Sequence, residues 1–191
     1  MEDWGRTAQR IRVPLGTVMG IFFLLLMHPS VRSIMLGAIV AFAGAAIRVW
    51  ASGNIIKGKV LAQSGPYAYT RNPLYFGSFV MALGILVSGQ SFWLIIPFCI
   101  FFAAVYYPVM KTEERELVQG HGDDFRDYVS RVPFFFPALR KKPASASTFS
   151  WERALANREH HTLAGLLLTE VFLIFLALTG IRITSLFAGL F

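Results

Sequence analysis

The feature that most constrains this chain is the distribution of its charges. From Asn72 to Val109 there is no Asp, Glu, Lys or Arg, and the same holds from Val13 to Val31. A helix that crosses a bilayer needs roughly 18–20 consecutive apolar residues. Both windows reach that length, so the chain is expected to be embedded in a membrane. Backbone polar groups have no water to bond in hydrocarbon, so the spans must be helices or a closed barrel. Unbroken apolar runs, as opposed to alternating ones, select helices.

Composition supports this reading. Charged residues make up 15% of the 191-residue chain and hydrophobic ones 55%, with mean hydropathy +0.54. A soluble domain carries about 25% charged residues. The net charge of +7 is carried by residues that flank the apolar runs. Membrane topology and anionic headgroups therefore account for it, and no recognition motif for nucleic acid accompanies it. The single cysteine, Cys99, lies inside an apolar run, which excludes a disulfide framework or a cysteine-based metal site. The acidic Met1-Glu-Asp start and a first apolar run long enough to remain as an anchor argue against a cleaved signal.

The chain reads as a single all-α integral membrane domain of about five spans. Residues 1–47 hold a polar head with Arg6, Arg10 and Arg12 and two helices, from about Val13 to Met27 and Val31 to Trp50. Pro14 suits a first turn. Gly37, Ala41, Ala43, Gly44, Ala45 and Ala46 are small residues that allow close helix contact. Residues 51–71 are an interfacial loop. Helix three is expected from Pro73 to about Val87 and helix four from Phe92 to about Met110. The short turn Ser88–Ser91 makes them an antiparallel hairpin. Thr112–Gly120 and Asp123–Ser130 read as two short helices, and Val132–Pro137 as an aromatic segment at the headgroup layer or under a cavity. Residues 138–160 read as a basic linker and 161–191 as a C-terminal membrane helix with an apolar tail from Ile183. The head, the 51–71 loop and the 111–160 region hold most of the Lys and Arg, which places them in the cytoplasm and suggests a bacterial inner membrane.

Two polar clusters border the hairpin. The first is Ser64-Gly-Pro-Tyr-Ala-Tyr-Thr-Arg-Asn-Pro-Leu-Tyr-Phe-Gly77. Arg71 and Tyr75 suit an interface anchor. Equally, a helix N-terminus at Pro73 offers free N–H groups to an anion, and Tyr67, Tyr69 and Tyr75 offer aromatic faces to a cation. The second cluster is Lys111-Thr-Glu-Glu-Arg-Glu-Leu117. Glu113 and Glu114 suit the first turn of a surface helix, or a carboxylate aimed at a ligand amine. Glu170 interrupts the last apolar run. A carboxylate there costs about 2.5–3.5 kcal/mol unless paired, so it is either paired or close to the interface. His160-His161 is read as a solvated pair, not a metal site.

Taken together, Gly65-Pro-Tyr, Arg71-Asn-Pro-Leu-Tyr75, Gly77, Glu113-Glu-x-x-Leu117, Gly122, Phe125, Tyr128 and Val132-Pro133 resemble the isoprenylcysteine carboxyl methyltransferase and phospholipid methyltransferase superfamily, over about residues 48–137. The resemblance implies an integral membrane enzyme that binds S-adenosylmethionine (AdoMet) on the cytosolic side and methylates a lipid or isoprenoid acceptor drawn from the bilayer. It implies cofactor contacts at Lys59, Val60, Leu61, Ala62, Tyr67, Asn72, Pro73, Leu74, Tyr75, Glu113 and Glu114. Asn72, Tyr75 and Arg71 become the candidate catalytic residues. In the family a histidine usually stands at Asn72 and another at Lys59, and an arginine that holds the acceptor's carboxylate in the eukaryotic enzymes falls at Val109. Two other readings use the same residues. One is an NADPH-dependent membrane reductase of the sterol and steroid type. The other is a membrane scaffold that keeps the fold without the chemistry. Neither a metal nor nucleic acid is expected as a partner.

Overall fold

The computed structural model describes residues 2–55, 60–138 and 149–181. They form helices joined by short connections: α1 Glu2–Leu25, α2 Val31–Ser52, α3 Pro73–Ser88, α4 Ile95–Arg131, α5 Trp151–Ala156 and α6 Glu159–Thr179. Single 3₁₀ turns at Gly65–Ala68 and Phe92–Leu94 precede α3 and α4. Four of these helices, α1, α2, α4 and α6, are long and apolar enough to cross a membrane, and α3 is an apolar helix of 16 residues. Large side chains such as Val13, Ile39, Ile96, Ile100 and Leu168 are exposed, as lipid-facing residues are in an integral membrane protein.

The tightest contact is between α2 and α3, and glycines make it possible. A Cβ on Gly84 would sit 2.3 Å from the backbone nitrogen of Ala41, and one on Gly44 would sit 2.6 Å from the carbonyl oxygen of Gly77. Gly37 faces Ser88 with the same closeness. Small residues thus bring two backbones together where bulky ones would hold them apart. The α3–α4 hairpin is built differently. Aromatic rings fill the space: Phe79 stacks on Phe98 and meets Phe102 edge-on, and Phe102 stacks on Tyr106.

Three boundaries differ from the sequence reading. Helix α1 begins at Glu2 and takes in Arg6, Arg10 and Arg12, because nothing between them and the apolar run breaks a helix and Pro14 is tolerated inside it. Helix α4 does not stop at the membrane boundary. It continues through Lys111–His121, where Glu, Arg and Leu are good helix formers, and breaks at Gly122, whose φ of 53° is left-handed. Up to that break, Ile95–His121 is about 40 Å long at 1.5 Å per residue, against a hydrocarbon core of about 30 Å. The charged stretch from Lys111 therefore stands beyond the bilayer core. Thirdly, α5 and the first residues of α6 occupy part of the stretch read as a linker. The basic run Arg140–Ser147 and the tail from Ile183 lie outside the described residues.

Helix α6 docks through buried polar contacts. Arg48 of α2 donates from Nε and Nη2 to Glu159 at 3.2 and 2.9 Å and reaches Ser78 of α3. Glu170 is 5% exposed and accepts from Ser88 Oγ at 3.1 Å. The structure makes Glu170 a buried residue bonded through one oxygen to Ser88 at the end of α3, with Oε2 buried and unpartnered.

Candidate functional site

The site is assembled where the overhanging half of α4 passes the N-terminus of α3. Pro73 takes the first helical position of α3, where its missing N–H is of no consequence. The residues just before it are fixed by the aromatic segment after α4. Arg71 N–H donates to the carbonyl of Pro133 at 2.9 Å, and Ala138 N–H donates to the carbonyl of Tyr69 at 3.0 Å. Thr70 Oγ1 donates to the carbonyl of Phe135 at 2.8 Å, and Asn72 Nδ2 to that of Phe134 at 2.9 Å. Tyr128 closes the other side, its hydroxyl donating to the carbonyl of Tyr67 at 2.7 Å. Residues 132–138 are thus a strap that holds the 67–72 loop in place. The segment packs against the loop that borders the cavity, and none of its residues is in the cavity lining.

The cavity has a volume of about 310 Å³, within the roughly 300–1,000 Å³ range of small-molecule sites. Val60, Leu61, Ala62, Tyr67, Arg71, Asn72, Pro73, Leu74, Tyr75, Glu113 and Glu114 all line it. These are the candidate residues of three separate stretches, brought to one wall. Lys59 lies outside the described residues. Ile55, Leu117, His121 and Phe125 line the cavity as well. Leu117 and His121 follow Glu113 at intervals of four, so they share its helical face. That spacing shows only once α4 is known to continue as one helix.

Each carboxylate has its own cations. Glu113 Oε1 accepts from the Tyr75 hydroxyl at 2.8 Å and from Arg12 Nη1 at 3.0 Å, and the same Arg12 nitrogen donates to the Tyr75 oxygen. Glu114 pairs with Arg71 Nη1 at 2.6 Å and with Lys111 Nζ at 3.0 Å. Glu114 Oε1 is engaged by the Arg71 ion pair, while Arg71 Nε is buried without a hydrogen-bond partner. His121 Nδ1 is also buried and unpartnered. Two of the cavity's own residues, Arg71 and His121, therefore hold polar atoms that protein groups leave unsatisfied. Such atoms are rare in folded proteins and mark places where something else bonds. Lys111 and Arg71 also lie over the Phe134 ring, at 4.3 and 5.3 Å, which ties the ion pairs to the strap. Tyr67 is buried, and burial pushes its phenol well above the usual value, so it stays neutral.

Arg12 belongs to α1 and was read from the sequence as part of a polar head. Asn72 has one amide proton committed to Phe134, so its first role in this structure is to fix the loop. Among the described residues no group of three or more His, Cys, Asp or Glu side chains is placed to hold a metal ion.

Comparison with known proteins decides the family of this part of the chain. Residues 38–124 match the model of the family described as phospholipid methyltransferase. That segment belongs to the membrane methyltransferase superfamily. The match runs from α2 into the overhang of α4 and includes both polar clusters. The chain is also 35% identical over 107 residues to the cobalt-zinc-cadmium resistance protein CzcN of Cupriavidus metallidurans, covering 55% of this chain and 48% of that protein. It is 35% identical, with the same coverage, to the nickel-cobalt-cadmium resistance protein NccN of Alcaligenes xylosoxydans xylosoxydans. It is 32% identical over 83 residues to the protein-S-isoprenylcysteine O-methyltransferase of Schizosaccharomyces pombe, covering 44% of this chain and 35% of that one. The chain thus spans about half or less of the length of the curated relatives it matches. No solved structure matches it.

Proposed function

We propose that this chain is an AdoMet-dependent methyltransferase that acts on a lipid-like or isoprenoid acceptor at the cytosolic face of the membrane. The observation that carries the proposal is the convergence of both polar clusters on one cavity, where Arg71 Nε and His121 Nδ1 are buried without a protein partner. A small ligand with a cation and several polar groups fits that donor and acceptor set. Glu113 would take the amine of the methionine moiety. The free N–H groups at the start of α3 would face its carboxylate. Tyr67 and the apolar Val60, Leu61 and Leu117 would border the adenine.

When bound, AdoMet supplies an electrophilic methyl group on a sulfonium. The protein's part is to align and to desolvate. The strap and the α3 N-terminus hold the Arg71–Tyr75 loop rigid. Arg12, Arg71 and Lys111 lie against the two carboxylates and balance their charge. A nucleophilic acceptor needs no proton removed, so the cavity does not have to supply a strong base, and an asparagine at position 72 is compatible with the reaction.

The test is a thermal shift of detergent-purified protein with AdoMet, S-adenosylhomocysteine and NADPH in parallel. A native-state ligand at a hundredfold excess over Kd stabilises by about 2.7 kcal/mol. The adenosyl ligands are expected to raise Tm, and Glu113→Gln to abolish most of that rise. A shift with NADPH alone would make the cavity that of a reductase. Silence from all three would leave the chain a scaffold.

A further inference from the structure

A separate hollow, of about 410 Å³, adjoins the first cavity. Arg71 and Glu114 line both, so their ion pair is a shared wall. Lys111, Arg115 and Val118 recur at helical spacing on one face of α4. Arg126 comes from the segment beyond the break at Gly122, whose Phe125 packs against Val118. The lining thus has four cations and one carboxylate, Glu114. That carboxylate is already shared by Arg71 at 2.6 Å and Lys111 at 3.0 Å. Arg71 Nε is buried with no partner. Arg115 makes no hydrogen bond or ion pair among the described residues. Arg126 meets Asp123 in a water-exposed pair, which holds it weakly. Positive charge is gathered here in excess of the carboxylate that faces it. The apolar Val118 and Phe125 below lower the local dielectric, so an entering anion would feel that charge strongly.

We propose that this hollow binds a phosphate-type dianion, and that the anion strengthens binding of a cationic cofactor in the adjoining cavity. The anion site stands by itself, and the coupling rests on the methyltransferase reading above. Guanidinium forks match phosphate oxygens in pairs, and a dianion answers the excess positive charge. Charge balance also gives the sign of the coupling. Arg12, Arg71 and Lys111 face two carboxylates, Glu113 and Glu114, so this cluster carries net positive charge. AdoMet adds to it, since its sulfonium and ammonium outnumber its one carboxylate. An anion on Arg71, Lys111 and Arg115 relieves Glu114 of its cations and leaves its charge for the cofactor. Each ligand then raises the affinity for the other by the same factor. S-adenosylhomocysteine has no sulfonium and no net charge, so it gains little. The anion is held outside the first cavity, which makes it a regulator and not the methyl acceptor. A lipid headgroup of the phosphatidic acid type and a soluble phosphate monoester share this chemistry.

The test titrates inorganic phosphate, glycerol phosphate and dihexanoylphosphatidic acid into the detergent-purified full chain, with ionic strength held constant by chloride. Wild type is expected to bind all three. Arg115→Gln combined with Arg126→Gln should weaken phosphate binding at least about tenfold. Arg131→Gln removes an exposed arginine that pairs with Asp127 outside the hollow, and it should change binding by less than about twofold. An equal loss in the Arg131 variant would reduce the site to bulk charge and overturn the proposal, as would no binding at millimolar phosphate. Phosphatidic acid binding about tenfold tighter than glycerol phosphate assigns the site to a lipid headgroup, and equal affinities assign it to a soluble monoester. AdoMet and S-adenosylhomocysteine are then titrated with and without saturating phosphate. Phosphate should tighten AdoMet about fivefold or more and S-adenosylhomocysteine by less than about twofold. Phosphate that weakens AdoMet, or leaves it unchanged, overturns the coupling. AdoMet that fails to bind in either condition sinks the methyltransferase reading, while the phosphate titration, which uses no cofactor, still decides the anion site.

Discussion

Tyr67 shows what burial does at a single residue. Its side chain is buried in the cavity wall, its carbonyl is held by Tyr128, and its phenol is pushed above the ordinary value of about 10 by desolvation. The sign of the resulting pH dependence follows from proton binding. Above pH 10 the unfolded chain loses this proton while the folded chain keeps it, so the folded state binds more protons and its stability falls as pH rises. The contribution is complete below about pH 10 and lost above it, with a slope of up to about 1.4 kcal/mol per pH unit from this group. Melting curves between pH 8 and 11.5 should therefore steepen downward above 10 in wild type and less so in Tyr67→Phe. Identical profiles for the two proteins would mean that Tyr67 is hydrated in solution. Asn72 makes the complementary case. In the sequence it stands where the family carries a histidine, and only the structure shows that its amide is already bonded to the strap.

At the scale of elements, what could be read from the sequence depended on whether the signal was local. The α3 start at Pro73, the turn at Ser88–Ser91 and the small-residue face of α2 were legible because proline, glycine and apolar runs state their roles locally. The continuation of α4 was not, since the change in composition at Lys111 marks the membrane boundary and not the end of the helix. The site residues on α3 and in the 60–62 and 67–75 stretches were legible through their motif, whereas Arg12 was not, because its partners lie 63 and 101 positions away. The same limit hid the docking of α6. Arg48 and Glu159, with side chains 20% and 7% exposed, connect α2 to α6 across 111 positions. Removing one partner of a buried pair costs about 3–5 kcal/mol, while replacing both by apolar residues is often neutral. Arg48 keeps Ser78 and the carbonyl of Leu74 as acceptors, so the lower end applies. Glu159→Leu should lower Tm by several degrees, and Arg48→Met with Glu159→Leu should restore most of it. A single variant as stable as wild type would show that α6 is held by its apolar face alone.

For the whole molecule, the decisive question is which face of the membrane carries the cavity. The bundle has two distinct ends. At one, the 26–30 and 88–91 turns meet, with His28 N–H donating to the carbonyl of Gly89 and Gln90 Nε2 donating to Ser30 Oγ. At the other are the 67–72 loop, the strap and the α4 overhang, with Arg71 in the cavity wall and Lys111, Arg115, Arg126 and Arg131 along α4. The positive-inside rule predicts that the second end faces the cytoplasm, where a nucleotide-type cofactor would be available to a cavity open on that side. Replacing Cys99 by Ser removes the chain's one native thiol. Gln90 and Glu116 are both exposed, and each can then be changed singly to Cys. In intact bacterial cells a membrane-impermeant maleimide should label position 90 at once and position 116 only after the membrane is opened. The opposite pattern would turn the cavity away from the cytosolic AdoMet pool. The methyltransferase proposal would then fail for want of cofactor, however well the site is built, because both clusters sit at the same end and cannot be divided between the two faces.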